Sequence, residues 1–415
     1  MSAWGAFIGL LVSIFLIIRK VSPVYSLILG ALVGGLLGGV SLPETVSLMI
    51  SGVNDVTPAV IRILTAGVLS GILVKTGAAA SISNTIIYRL GERHVFFALA
   101  FATMLLTAIG VFIDVAVITV APIALSIGRK LAVPRGSLLL MMIGGGKCGN
   151  IISPNPNTII AAENFHADLY SVMYANLIPA LVGLLFTVYV IGRFLPRQNG
   201  FYANEEIDNL QAALPSFASS MVAPVVTILL LSFRPLFHVA IDPMIALPVG
   251  GIVGILAMRK WSLITASLSY GLKKMSNVSI LLVGTGTIAG VIKASSIKDV
   301  LLDALSHTDM GEILLAPVSG VLMSAATAST TAGATVASSS FADIIIAAGI
   351  SGVWGAAMIN SGATVLDHLP HGSFFHATGG VADISIRERL RLIPYETAIG
   401  AILAVGTIIA YLTVN

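Results

Sequence analysis

A chain of 415 residues that is 56% hydrophobic and only 10% charged, with a mean hydropathy of +0.98, falls far below the roughly 25% charged residues of an average soluble domain. It is an integral membrane protein, which excludes a water-soluble enzyme; a formal net charge of +3 is unremarkable by itself, and no nucleic-acid partner is expected. Apolar runs of about 20 residues without strand-like alternation point to helices, not to a barrel. The single Cys148 can form no intramolecular disulfide and is silent about redox compartment.

The opening MSAWGAFIGLLVSIFLII has no basic start and no clear cleavage site, and Arg19-Lys20 follows it, so it reads as a retained first span. Two clean spans (3–19 and 23–41) lead to a third near 58–75 and an amphipathic stretch. Residues 94–125 are apolar around a central Asp114. Folded back on itself, each arm would have about 15 residues and span about 22 Å, too short to cross about 30 Å of hydrocarbon. A re-entrant hairpin is expected. The next span, 136–165, is interrupted by NIISPNPNTII from Asn150, and a last span covers 170–194. Proline breaks a helix and asparagine is poorly matched to hydrocarbon, so this break at mid-span needs a reason.

The second half repeats the first. VSPVYSLILGALVGGLLGG from Val21 resembles IDPMIALPVGGIVGILAMR from Ile241, and GILVKTGAAASISNTI from Gly71 resembles GVIKASSIKDVLL from Gly290. ISPNPNT from Ile152 falls opposite LDHLPHGS from Leu366, so the offset is about 214 to 220 residues throughout. The predicted fold is an all-α polytopic membrane protein of two repeats, 1–195 and 220–415, joined by a polar linker over 196–219. Each has five spans and one re-entrant hairpin, with a broken helix at the midplane; the second hairpin is 313–345 and the second broken span 347–375. Five is odd, so the copies lie inverted. Charge agrees: Arg19, Lys20, Arg89, Arg93, Arg129, Lys130, Arg135, Arg193, Arg197, Arg259, Lys260, Lys273, Lys274, Arg387, Arg389 and Arg391 share one face, and only Arg234, Lys293 and Lys298 fall opposite. The positive-inside rule puts the linker in the cytoplasm and both termini outside the inner membrane.

Non-helical backbone at membrane depth survives only against protein or a water-filled cavity. The four interruptions (tips at Ile109 to Thr119 and Ala326 to Thr335, breaks at Ser153 to Thr158 and Leu366 to Ser373) suit a midplane site for an anion and a coupling ion. Candidate substrate ligands are Ser153, Asn155, Asn157, Thr158, Ser329, Thr330, Thr331, His368, His371 and Lys147. Asp114 and Asp367 are the candidate proton carriers. Ionised, Asp114 repels an anionic substrate; protonated, it admits one. The plainer alternatives are a proline kink at NPNT, hydroxyls bonded back to helix carbonyls, and Asp114 paired with Arg62 or Lys147. Arg62 is a weaker substrate candidate. H-x-x-H at His368 and His371 lacks the further ligands of a metal site, so no metal and no cofactor are expected. IGGGKCGN lacks the Ser/Thr and the preceding strand of a phosphate loop, so its glycines, like Gly30-x-x-x-Gly34, are read as close helix packing.

GILVKTGAAASISNTIIYRLGERH, IDVAVITVAPIALSIGRKLAVP and NPNT, in order along nearly the whole chain, resemble the gluconate:proton symporter (gluconate permease) family within the ion transporter superfamily. The resemblance implies a homodimer in which each protomer has a scaffold and a moving transport domain, with elevator-type alternating access. It also implies import of a small hydroxy-acid or related carboxylate with protons. Asp114 stands where that family tends to carry an acidic tip residue, and Ser329 to Thr331 match its hydroxyl-rich second tip. LDHLPHGSFFHATGG departs from the Asn-Asp-Pro-Gly pattern of gluconate carriers, which leaves citrate-type and other organic-acid substrates as alternatives; the resemblance to carriers with sodium at Asn/Thr-rich tips leaves sodium coupling as the rival to protons, and ion antiport is the lesser alternative. No HExxH or GxSxG occurs, so no enzyme activity is expected.

Overall fold

A computed structural model describes residues 1–195, 214–233, 239, 241–296, 300 and 311–414. Most of the expected linker, 196–213, and the charges Arg197, Arg234 and Lys298 lie outside the described residues. The chain is helical from the start: α1 (Ala3–Ile18), α2 (Pro23–Leu37) and α3 (Leu42–Lys75). Ser2 and Ser41 accept from the Gly5 and Glu44 amides and start α1 and α3, while Pro23 opens α2 with its ready-made φ. Then α4 (Ala78–Leu90) bends by 102° into α5 (Val95–Ala108). There follow α6 (Ile113–Leu131), α7 (Arg135–Asn150), α8 (Pro156–Asn164) and α9 (Leu169–Phe194), the last with a π turn over Phe186–Ile191.

Beyond the linker come α10 (Phe217–Leu231), α11 (Pro243–Ala257), α12 (Ile264–Lys293), α13 (Gly311–Thr327), α14 (Thr330–Ala347), α15 (Gly352–Gly362), α16 (Ser373–Val381) and α17 (Ile386–Val414). Among the described residues four helices are long and apolar enough to cross a membrane, namely α3, α9, α12 and α17. The helix of α3 starts at Leu42, well before the expected 58, and carries Pro58 in its interior. One proline removes a single amide donor, and 34 residues (about 51 Å at helical rise) hold the helix together on both sides of it.

On α1, Trp4, Phe7, Leu11, Phe15 and Ile18 are exposed, whereas Gly5, Ala6, Gly9 and Ser13 are buried. Leu10 and Ile17 are buried with them, but most large apolar groups of this helix face outward and the small ones face the neighbouring helix, where close backbone approach supplies the packing. A Cβ added at Gly30 would lie 2.4 Å from the Gly9 carbonyl oxygen, and one at Gly145 only 1.9 Å from that of Ala100. Both glycine runs therefore serve packing, of α2 on α1 and of α7 on α5.

Helices pack into two groups. One is α1, α2 and α3 with α10, α11 and α12; the other is α5 to α9 with α13 to α17. The boundary is bridged chiefly where α12 meets α14 and α3 meets α8, and α4 touches both groups.

Candidate functional site

Three of the four expected interruptions meet at one point. At the first tip α5 ends at Ala108 and the chain turns through Gly110, whose φ of +101° favours glycine. Asp114 then sits in the first turn of α6. At the second tip Ala328 takes a left-handed φ of +46°, and Ser329 caps α14 by accepting from the Ala332 amide at 3.3 Å. In the second break α16 starts at Ser373 after Gly372, where a Cβ would lie 2.5 Å from the Ala328 carbonyl oxygen. Tip and break are thus in direct backbone contact.

A cavity of about 710 Å³ opens there, between the two helix groups. The N-termini of α6, α14 and α16 all reach it, through Ile113, Thr330 and Ser373. Neither α6 nor α16 has a side-chain cap bond, and helix N-termini at the edge of a cavity favour an anion there. Lys274 of α12 enters from the other group and donates to the Asp114 carboxylate at 3.3 Å. Both side chains are about one-third exposed, 36% and 31%. The Lys274 ammonium also lies 6.0 Å from the centre of the Phe112 ring. Asp114 therefore pairs with neither Arg62 nor Lys147, and Lys274, expected on the membrane face, belongs to the cavity.

A buried polar cluster forms part of the cavity wall, with Thr330 and Asp367 lining the space and Lys147 and His368 behind them. Lys147 of α7 is fully buried and donates to the Thr364 carbonyl (2.5 Å) and to Asp367 (2.5 Å), and its ammonium lies 3.0 Å from His368 Nδ1. Thr330, at the start of α14, donates to the other Asp367 oxygen at 2.5 Å. His368 Nε2 lies 3.2 Å from both the Ile393 carbonyl and the Thr397 hydroxyl of α17. One carboxylate thus ties together the first broken helix, the second break and the second tip. Its desolvation is met by an ammonium and a hydroxyl, as a buried charge requires.

The NPNT break is held by amides. Asn155 caps α8 through the Thr158 amide (3.2 Å) and donates to the Asn150 carbonyl (3.0 Å). Asn157 donates to Asn360 of α15 at 2.6 Å, and Asn360 donates to Thr158 Oγ1 at 3.0 Å. Ser153 Oγ is buried without a hydrogen-bond partner among the described residues. The break therefore binds the two halves of its own helix group together and does not line the cavity.

Of the candidates from sequence, the cavity gathers Asp114, Asp367, Ser329, Thr330 and Thr331. It leaves Ser153, Asn155, Asn157, Thr158, Lys147, His368 and His371 in the wall or beyond; His371 bonds the Ala326 carbonyl at 3.2 Å. Arg62 is engaged elsewhere, by Glu163 and, at 2.7 Å, by Asp242. The Arg62 guanidinium holds the Asp242 carboxyl, in the connection before α11, below the usual carboxylate range. Sequence reasoning missed Asn150, Lys274 and Asn277, all cavity residues, and Asn360. Lys274 and Asn277 stand one helical turn apart on α12, but Lys273, Ser276 and Ser279 beside them leave no local mark that singles the two out. Among the described residues no group of three or more His, Cys, Asp or Glu side chains is placed to hold a metal.

The chain is 53% identical over 404 residues to an uncharacterized transporter of Haemophilus influenzae, covering 97% of this chain and 96% of that one. It is 21% identical to a high-affinity gluconate transporter of Escherichia coli over 89% of this chain and 90% of the relative. The D-serine transporter DsdX of Escherichia coli is 23% identical over 78% and 79%. The fold is similar to that of the YdaH transporter of Alcanivorax borkumensis, with a TM-score of 0.66 at 14% identity over 89% of each chain. The family model of the GntP permeases matches residues 1–414. A multi-pass chain with a polar cavity between two helix groups, matched end to end by that model, belongs to the GntP permease family and is a transporter, not an enzyme.

Proposed function

We propose that this protein imports a small organic carboxylate, a gluconate-like hydroxy-acid, by proton symport across the inner membrane. The observation that carries the proposal is the Asp114 carboxylate held in a cavity where three helix N-termini converge. Those termini and the hydroxyls of Ser329, Thr330 and Thr331 suit an anion with several oxygen atoms. Ionised Asp114 occupies the same field and opposes that anion; a proton on Asp114 removes the opposition. Relatives that carry gluconate and D-serine, both carboxylates, favour this substrate class.

The transport cycle we propose is an elevator, in which the helices α5–α9 and α13–α17 move past the α1–α3 and α10–α12 group. The cavity at the boundary between the groups supports it. We also read residues 1–195 and 220–415 as inverted copies. Two short apolar helices, a long one, a helical hairpin, a broken helix and a last long helix follow in that order in each half. Termini outside, a cytoplasmic linker and a homodimeric working unit complete the reading.

The test is uptake of labelled gluconate into proteoliposomes under an inward proton gradient without sodium. Accumulation that collapses with a protonophore is the expected result. Accumulation only with sodium, or only of another carboxylate, overturns the coupling ion or the substrate, and no accumulation of any carboxylate overturns the reading.

A further inference from the structure

The cavity holds a cation that the coupling scheme above does not use. Lys274 is contributed by α12, in the helix group opposite the one that carries both tips and both breaks. Among the described residues three ion pairs cross that boundary, Arg62–Glu163, Lys293–Asp343 (3.8 Å) and Lys274–Asp114 (3.3 Å), and in each the cation stands on the α1–α3 and α10–α12 side. Arg62 and Lys293 have a second carboxylate within their own group, Asp242 at 2.7 Å and Asp55 at 3.4 Å. Among the described residues no such second carboxylate is bonded to Lys274. When Asp114 is protonated Lys274 loses its counter-ion, in a space that opens onto three helix N-termini.

We propose that Lys274 is the residue that binds the substrate carboxylate, shared in turn with Asp114, so that proton binding and substrate binding are two halves of one ion-pair exchange. This rests on the reading of the protein as a proton-coupled carboxylate carrier and deepens it. With Asp114 ionised, the ammonium is already paired and a substrate carboxylate must displace an anion. With Asp114 protonated, the ammonium and the helix dipoles are all available to the substrate. Asn277, one turn along the same face of α12, is placed to donate to or accept from a hydroxyl next to that carboxylate. Among the described residues these charged and titratable groups bear on Asp114. Lys274 and Tyr270 face it from α12, Asp367 shares the cavity but is bound by Lys147, and Lys75 sits over the Tyr270 ring at 5.0 Å. The exchange is therefore governed by the Lys274–Asp114 pair. It also binds the substrate to both helix groups at once, through Lys274 on one side and the tips on the other.

The experiment is equilibrium binding of labelled gluconate to the purified full-length protein across a pH series, for wild type, D114N, K274Q, K274R and D114N/K274Q. Wild-type affinity should fall as pH rises, because each bound substrate displaces an ionised Asp114; D114N should bind tightly at every pH. K274Q should lose about 10- to 100-fold, the range of one charge-assisted hydrogen bond, and K274R should retain most of the affinity. The double variant decides the matter. If Lys274 holds the substrate, D114N/K274Q stays as weak as K274Q. If Lys274 only neutralises Asp114, the double variant recovers wild-type binding and the proposal is overturned. Wild type that binds no carboxylate overturns the transport reading itself, a result distinct from recovery in the double variant.

Discussion

Lys147 of α7 and Asp367 of the second break, 220 residues apart in sequence, meet at 2.5 Å with neither side chain more than 3% exposed. An ion pair so placed has little to do with solvent. Breaking it from one side strands a charge in a low-dielectric pocket, whereas removing both charges can be close to neutral. K147M should therefore lower stability by about 3–5 kcal/mol, read as a fall in the melting temperature of the detergent-purified protein. A K147M/D367L variant should melt above K147M. An unchanged melting temperature in K147M would remove the pair from its bracing role.

The asparagine that sequence reading passed over makes the second prediction. Asn360 of α15 is completely buried and joins Asn157 and Thr158 of the first break. In N360L both of those partners lose a hydrogen bond inside the protein, at a cost of about 1–3 kcal/mol each for an unsatisfied buried group. The melting temperature should fall clearly. Gluconate affinity of the protein that remains folded should stay near wild type, because Asn360 does not line the cavity. A selective loss of binding without loss of stability would contradict that placement.

How much of this was legible in the residues can be judged element by element. The breaks at NPNT and LDHLPHGS and the two tips were visible because proline, asparagine and charge inside apolar runs violate the rules of lipid-embedded helices. The structure puts non-helical backbone at Ile151–Asn155 and at 363–372, inside the spans marked as broken. What could not be read was which polar group faces which space. Lys147 and Lys274 both sit in helices, and nothing local distinguishes them. Yet one is sealed against Asp367 and the other opens into the cavity. That difference is set by contacts more than 150 residues away in sequence, which spacing along one helix does not encode. The NPNT asparagines were assigned to substrate for the same reason: their polarity was evident, but their partners across the fold were not.

Asp114 gives the third prediction. Asn matches its shape and can still accept from Lys274, but it cannot exchange a proton. D114N proteoliposomes should show no accumulation of gluconate driven by a proton gradient. They should still exchange internal for external gluconate, because the cavity and its three helix N-termini are intact. Counterflow and driven uptake measured on the same vesicles separate the two. Full proton-driven accumulation by D114N would take Asp114 out of the coupling step.

Arg62 offers a test of how ion pairs at the group boundary are built. Its guanidinium serves Glu163 of α8, across the boundary, and Asp242, beside α11 in its own group, and all three are partly exposed. Deleting one acceptor leaves the other in place, so E163Q should shift stability by no more than about 1 kcal/mol, the usual range for a solvent-screened pair. R62Q differs in kind, since it leaves two carboxylates with no cation between them. It should be the more destabilising of the two, and adding E163Q to R62Q should restore part of the loss by removing one of the stranded charges. Melting temperatures of the three variants at low and at high salt provide the check. Salt should narrow the gap between R62Q and R62Q/E163Q, because screening weakens the like-charge repulsion that separates them. If E163Q proves as harmful as R62Q, the stabilising contact is the boundary-crossing one alone and Asp242 is not an independent partner.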